Sequence, residues 1–453
     1  MALNYKGTQM STLSAKKQNS TYENPVKLLQ NLIRFNTTNP PGNEEECIKY
    51  LNNILTDAGF ETKILAKNPK RPNLITHLTG QGKTTPILLY GHVDVVTVEN
   101  QIWKYPPFEG KITEGYLWGR GTLDMKGGVA MMVSALLRAK AENLTPPGDI
   151  VLAIVCDEEQ GSEYGAKYLI ENHSNLFKGI RYAIGEFGGF TFYIGKKKFY
   201  PIMVSEKHVC YIKVIVRGPS GHGALPIHGG AAAKLGAILN NLDKHSMPVH
   251  IPEILKLQLN TMASNLSFPS NLFMRLLKIP IFTNKVLKLF GAKGDAFDPL
   301  LHNTVNVMSI HGGEQIYGIP SKIEIILAAT LLPGYNADDI IAELKKIIGD
   351  EFEYEVLYFV SVPHKIDMGL FDTLKDILHK TDPEGVALPI LMSGVTDGRF
   401  FSKLGIQTYG FIPMSLPEEV NFIQLFHNAN ERIPVEAIEF GADSIYELFQ
   451  CFK

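Results

Sequence analysis

The sequence predicts an α/β protein: a mostly parallel β-sheet sandwiched by helices, interrupted by an inserted ferredoxin-like α+β domain. Three observations carry this. Continuous apolar runs such as PILLYGHVDVV (86–96) read as strands buried on both faces. They alternate with helical patterns such as GGVAMMVSALLRAKA (127–141), where Val129, Met132, Val133, Leu136 and Leu137 share a face. Beyond about residue 204 the order becomes strand–helix–strand–strand–helix–strand, which is ferredoxin-like.

The elements follow in order. Residues 26–36 show helical spacing through Leu28, Leu29, Leu32 and Ile33. Asn43 and Glu46 resemble a capping box opening a helix to about 57, closed by Gly59. Strands are expected at 61–67, 73–79, 86–96, 149–155 and 181–186. HVCYIKVIVRG (208–218) alternates, and a helix follows at about 229–243. Strands at 304–310 and 322–330, a helix at 336–349 and a strand at 352–361 complete the inserted unit. The stretch 251–303 is too long for a structureless loop and is expected to carry extra helices. The resulting division is a flexible tail (1–24), a first part of the main domain (25–204), the insert (205–365) and a second part (366–453).

Composition narrows the function. The 453 residues are 45% hydrophobic and 20% charged, with 44 basic and 46 acidic residues and a net charge of −2. That excludes a disordered chain and argues against binding a phosphate backbone. Cys47, Cys156, Cys210 and Cys451 form no C-x-x-C pair, so a zinc finger or redox motif is not expected. The first residues are polar, and no apolar run reaches the roughly 18 residues of a membrane span. A cytoplasmic protein without nucleic-acid or membrane partners is expected, with Met10 an alternative start.

Acidic and histidine residues recur after strands. His92 and Asp94 in GHVDVV point the same way on a strand, and a carboxylate beside an imidazole can fix its tautomer for metal ligation. H-x-D is also an ordinary surface pair; its place after PILLYG favours a site at a strand's carboxyl end. Asp124 lies among the glycines of GRGTLDMKGG, where a helix cap is an equal reading. Glu158 and Glu159 in DEEQGS point in different directions and should not share a task. Glu186 in IGEFGG follows another strand, His427 sits in LFHNANERIP, and His222 lies in the exposed loop RGPSGHGALP. Histidines with several carboxylates suit a pair of zinc, cobalt or manganese ions bridged by one carboxylate. Neither G-x-S-x-G nor H-E-x-x-H is present, which disfavours a serine hydrolase and a helical single-zinc site.

The ordered set GHVDVV, GRGTLDMKGG, DEEQGS, GEFGG, GPSGHGALP and HNANERI, with WKYPPFEG (103–110), resembles the co-catalytic zinc metallopeptidase family. That family includes carboxypeptidase G, acetylornithine deacetylase, succinyl-diaminopimelate desuccinylase, aminoacylase and carnosinase-type dipeptidases. The resemblance runs from about residue 25 to the end. It implies a dinuclear amidohydrolase or metallopeptidase acting on a small molecule or peptide. His92 and Glu186 would hold one metal, Glu159 and His427 the other, and Asp124 would bridge them through a cis peptide to Met125. Asp94 would orient His92, and Glu158 would be the general base. It also implies that the insert is a lid and dimerisation domain, whose His222 reaches the neighbouring subunit's site in a homodimer.

One departure concerns the substrate. Relatives that grip a free carboxylate place an Arg in the third lid strand; here KIEIILAATLLPG puts Thr330 there. The assisting position falls at Tyr317 or Gly318. Lys322 and Arg399 are expected to lie too far away to replace the clamp. Arg399 and Gly394 in SGVTDGRFF, with Tyr317 and Thr330, are the candidate substrate contacts. A larger or more apolar substrate, or one lacking the free carboxylate, follows, with contacts from 251–303. The same site could serve a carbamoyl or ester substrate, or a weakly active scaffold protein.

Overall fold

A computed structural model describes residues 24–313, 318–360 and 365–453. Tyr317 and nearly all of the expected tail lie outside the described residues.

Strand Ile87–His92 shows why the apolar runs are continuous. Ile87 and Leu89 enter one hydrophobic core, while Leu88 and Tyr90 enter a second on the opposite face. Both faces are covered, so both phases of the strand are apolar. On one side lie helices Lys126–Ala141, Pro25–Ile33 and Val435–Cys451; on the other, Ala166–His173 and Gly398–Ser402. The strand stops at His92, shorter than the expected 86–96.

The large sheet has nine strands among the described residues. Ile87–His92 is parallel to both Ile150–Val155 and Tyr182–Gly185, and Tyr182–Gly185 is parallel to Gln407–Gly410. The expectation of a mostly parallel sheet needs correction, because the flanks reverse direction. Thr62–Asn68 and Arg71–Leu78 are joined by two residues, a connection that permits only antiparallel pairing. Arg71–Leu78 also runs antiparallel to Ile150–Val155, and Lys197–Glu206 antiparallel to Gln407–Gly410. The sheet is mixed, with a parallel centre.

The capping box at Asn43 is also corrected. Helix Glu45–Asp57 has Glu44 at its N-cap, with no side-chain cap bond. The Glu44 carboxylate is occupied by Arg71, whose Nη2 and Nε lie 2.6 and 3.1 Å from its two oxygens.

A second sheet is antiparallel throughout, in the order Thr304–His311, Lys322–Leu331, His208–Arg217, Glu353–Phe359. Helices Ala231–Lys244 and Ala337–Ile348 close one of its faces around Ile212, Val214, Ile325 and Leu344. Asn336 caps the second of these helices in a true capping box with Asp339. The stretch 251–303 carries helices Glu253–Asn265, Ser270–Leu277 and Pro280–Phe290 and two short turns of helix. Their buried Leu259, Phe273 and Leu287 join the core of the large sheet rather than that of the smaller one.

Candidate metal centre

The parallel centre of the sheet delivers the site. His92 ends one strand, Glu186 follows Tyr182–Gly185, and Ile150–Val155 leads into the 3-10 turn Glu158–Gln160. These strands are neighbours, so the side chains gather at one carboxyl edge. Asp124 arrives from the loop before helix Lys126–Ala141, and its peptide bond to Met125 is cis. His427 comes from the loop after Phe422–Leu425.

Asp124 stands in the middle. Its Oδ1 lies 3.1 Å from His92 Nε2, which is 3.5 Å from Glu186 Oε2. Its Oδ2 lies 2.9 Å from His427 Nε2, which is 3.4 Å from Glu159 Oε2. Two groups that could each hold a metal ion result, His92–Asp124–Glu186 and Asp124–Glu159–His427, sharing one carboxylate. Glu159 Oε1 is buried with no hydrogen-bond partner. Nitrogen and oxygen donors in this proportion fit zinc, cobalt or manganese.

The electrostatics fit dications as well. Burial, then the charge of Glu186, pushes Glu158 well above the usual carboxyl range. Burial also lifts Glu186 to about 7, against its bond to His92. Burial works against protonation of His427, but Asp124 and Glu159 outweigh it and raise the imidazole to about 10. Crowded carboxylates hold protons when no other cation balances them.

Asp94 does more than the sequence suggested. His92 Nδ1 lies 3.0 Å from the Asp94 carbonyl oxygen and 3.5 Å from its Oδ1, which leaves Nε2 facing Asp124. The same carboxylate accepts the backbone N–H groups of Glu158 and Glu159, both at 3.2 Å, and Asn39 Nδ2 at 2.9 Å. Asp157 precedes this turn at φ +68°. Arg71 Nη1, Asn39 Nδ2 and the Tyr164 N–H all donate to its carboxylate and hold that strained backbone.

A second brace fixes His427. Buried Arg120 donates to Glu431 Oε2 at 2.7 Å and to the carbonyls of His427 and Asn428, both at 3.2 Å. Glu431 in turn accepts the N–H groups of Gly121 and Leu123, beside Asp124. Asn39, Arg71, Arg120 and Glu431 were not singled out from the sequence. Arg120 and Glu431 lie inside GRGTLDMKGG and HNANERI, so an ionic pair split between two motifs was the available signal.

The other expected site residues belong to neither ligand group. His222 is exposed, its Nδ1 accepting the Ala224 N–H, and belongs to neither ligand group. Arg399 is buried over the Phe400 ring and donates to the Thr396 carbonyl. Gly394 lies in the bend after strand Val386–Met392. Thr330 hydrogen-bonds Thr304 across the smaller sheet, and Lys207 Nζ reaches the same Thr304 at 3.3 Å. Lys322 is paired with Glu324, eight residues and roughly 26 Å of strand from Thr330. Between Asp124 and Glu186 lies a recess about the size of one water, walled by Leu123, Met125, Phe187, Phe190, Ile412 and Phe422. The rings of Phe190 and Phe422 stack at 4.0 Å.

A model of peptidase family M20/M25/M40 matches residues 88–450. The chain belongs to this family. As an M20 family member it is a hydrolase, and its relatives bracket several substrates. An N-fatty-acyl-amino acid synthase/hydrolase of Bos taurus is 28% identical over 381 residues, 81% of this chain and 74% of the relative. A probable succinyl-diaminopimelate desuccinylase of Staphylococcus aureus is 26% identical over 399 residues, 86% of this chain and 88% of the relative. The M20 metallo-carboxypeptidase Sso-CP2 of Sulfolobus solfataricus shares the fold, with a TM-score of 0.67 at 19% identity over 94% of this chain and 98% of that one.

Proposed function

We propose that the protein hydrolyses the amide bond of an N-acylated amine or amino acid, with two divalent ions, most simply zinc, at the Asp124 site. The observation that carries this reading is the division of Asp124: one oxygen faces His92 and Glu186, the other His427 and Glu159. In this reading His92 and Glu186 hold one ion, Glu159 and His427 the other, and Asp124 both. When bound, the pair of ions supplies Lewis acidity and brings the proton of a shared water within reach near neutral pH.

The remaining work belongs to side chains. Glu158, positioned by the Asp94 carboxylate through its backbone N–H, takes the proton of the attacking water. A C–O bond forms, the C–N bond breaks, and Glu158 returns the proton to the leaving nitrogen. His222 donates to the developing oxyanion from the second subunit of a homodimer. Strand Thr304–His311, an edge of the smaller sheet, exposes Val307, Met308 and Ile310. Such an edge is a template for pairing with another chain, which supports the dimer.

The relationship to an N-fatty-acyl-amino acid synthase/hydrolase supports an acyl group of hydrocarbon character, and Thr330, bound to Thr304, offers no guanidinium for a carboxylate. The test is a panel of N-acyl amino acids of increasing chain length, their amides and simple dipeptides, each with zinc, cobalt or manganese. Turnover should rise with acyl length and change little on amidation, with about two ions bound per chain at saturation. Full activity with one tightly bound ion would remove the bridging role of Asp124.

A further inference from the structure

The helical stretch within the insert carries a surface that the proposed reaction does not use. Residues 266–293 contain Arg275, Lys278, Lys285, Lys288 and Lys293 and no Asp or Glu, in a chain whose net charge is −2. Helix Pro280–Phe290 buries Thr283, Val286 and Leu287. Its other side shows Ile281 at 75% exposure, Phe282 at 45% and Leu289 at 80%, with Lys285 and Lys288 exposed among them. Ile281, Lys285 and Leu289 are four residues apart and form one line along the helix. Phe268, Leu272 and Ile279 extend the exposed apolar set across the preceding turn and helix Ser270–Leu277.

Single exposed apolar side chains are ordinary, but a contiguous set interleaved with cations alone is not. We propose that this helical pair docks on an anionic lipid bilayer. The apolar side chains enter the boundary between headgroups and acyl chains, and the lysines meet the lipid phosphates and carboxylates. Charge selects this occupant over a second copy of the chain. A two-fold self-contact would set the same cations against each other with no acid between them. No helix among the described residues is long and apolar enough to cross a membrane. An interfacial contact needs none, and the proposal departs from the sequence expectation of no membrane partner. Because Phe273, Leu277 and Leu287 belong to the core of the large sheet, the surface is fixed to the unit that carries Asp124.

Flotation of the full chain with phosphatidylcholine vesicles, with and without phosphatidylserine, tests this. Binding should require phosphatidylserine and weaken with added salt. Two double variants, Ile281→Asp with Leu289→Asp and Lys285→Glu with Lys288→Glu, alter exposed positions, so circular dichroism should match the parent. Each lysine near an anionic surface is worth about fivefold, so reversing two should lower partitioning at least about 25-fold. The proposal is overturned if the chain floats with neither vesicle, or if the variants bind as the parent does. It is equally overturned if the variants change the mass of the particle in solution instead, which would assign the surface to a protein partner.

Discussion

Glu158 and Glu159 are chain neighbours with different surroundings. Glu159 lies within reach of His427 and leaves Oε1 buried and unpartnered, whereas Glu158 belongs to neither ligand group. Glu158→Gln is therefore expected to keep both ions and lose roughly 10²–10⁴ in turnover, the range of a general base. Glu159→Gln should lose affinity for one ion; equal metal loss in both variants, read by metal analysis after dialysis, would contradict the roles. A second residue-scale expectation concerns Glu206, whose Oε2 accepts the N–H and hydroxyl of Thr396 while Oε1 is buried without a partner. Burial lifts its pKa to about 7, against Arg399 and Thr396. An unfolded glutamate titrates near 4.3, so between about pH 4.3 and 7 the folded chain binds the extra proton. The stability this proton contributes is fully present below the unfolded value and is lost as pH rises through about 7. Glu206→Gln cannot ionise. Its unfolding free energy should gain about 2–3 kcal/mol on the parent between about pH 5 and pH 8, by denaturant titration; a constant difference would show that Glu206 stays charged.

Elements placed by apolar runs or helical spacing survived, and those placed by a local signal did not always. Continuous apolar runs located the strands at 87–92 and 150–155, and helical spacing the helix at 126–141, to within a few residues. Asn43 and Glu46 matched a capping pattern, yet the N-cap is Glu44, whose carboxylate is taken by Arg71 of strand Arg71–Leu78. The sequence pattern does not mark Lys197–Glu206 as a strand, although seven of its ten residues are buried. Its opening lysines and central Pro201 obscured the apolar pattern. The Arg120–Glu431 pair shows what such long-range contacts are worth. It ties the Asp124 loop to the His427 loop, both partners being buried. Arg120→Ala should cost about 3–5 kcal/mol by leaving the Glu431 charge uncompensated. Arg120→Met with Glu431→Gln should recover much of that stability in thermal unfolding. The double variant should still bind the second ion weakly, because the His427 carbonyl has lost its anchor; unchanged metal affinity would reduce the pair to a structural role.

At the scale of the whole molecule, His222 is exposed and stands outside both ligand groups of its own chain. A homodimer supplying His222 across the interface predicts complementation. His222→Ala and Glu158→Gln, each inactive alone, should regain a fraction of activity when mixed and allowed to exchange subunits. Full activity in a monomer by light scattering would refute this.

The sequence by itself determined the alternation of buried strands and helices, the smaller antiparallel unit and the residues that gather around Asp124. Those are written in local periodicity and in short motifs at strand ends, where the chain's own geometry dictates direction. Only the tertiary structure decided that the flanks of the large sheet reverse and that Asp94 braces the turn of Glu158 and Glu159. It alone showed that Arg120 and Glu431 join two distant loops, and that the helices of 253–290 pack on the main core with an apolar, cationic face left open. Each of these depends on side chains far apart in sequence meeting in a buried space. There the desolvation of a charge or the closing of a core outweighs any local preference.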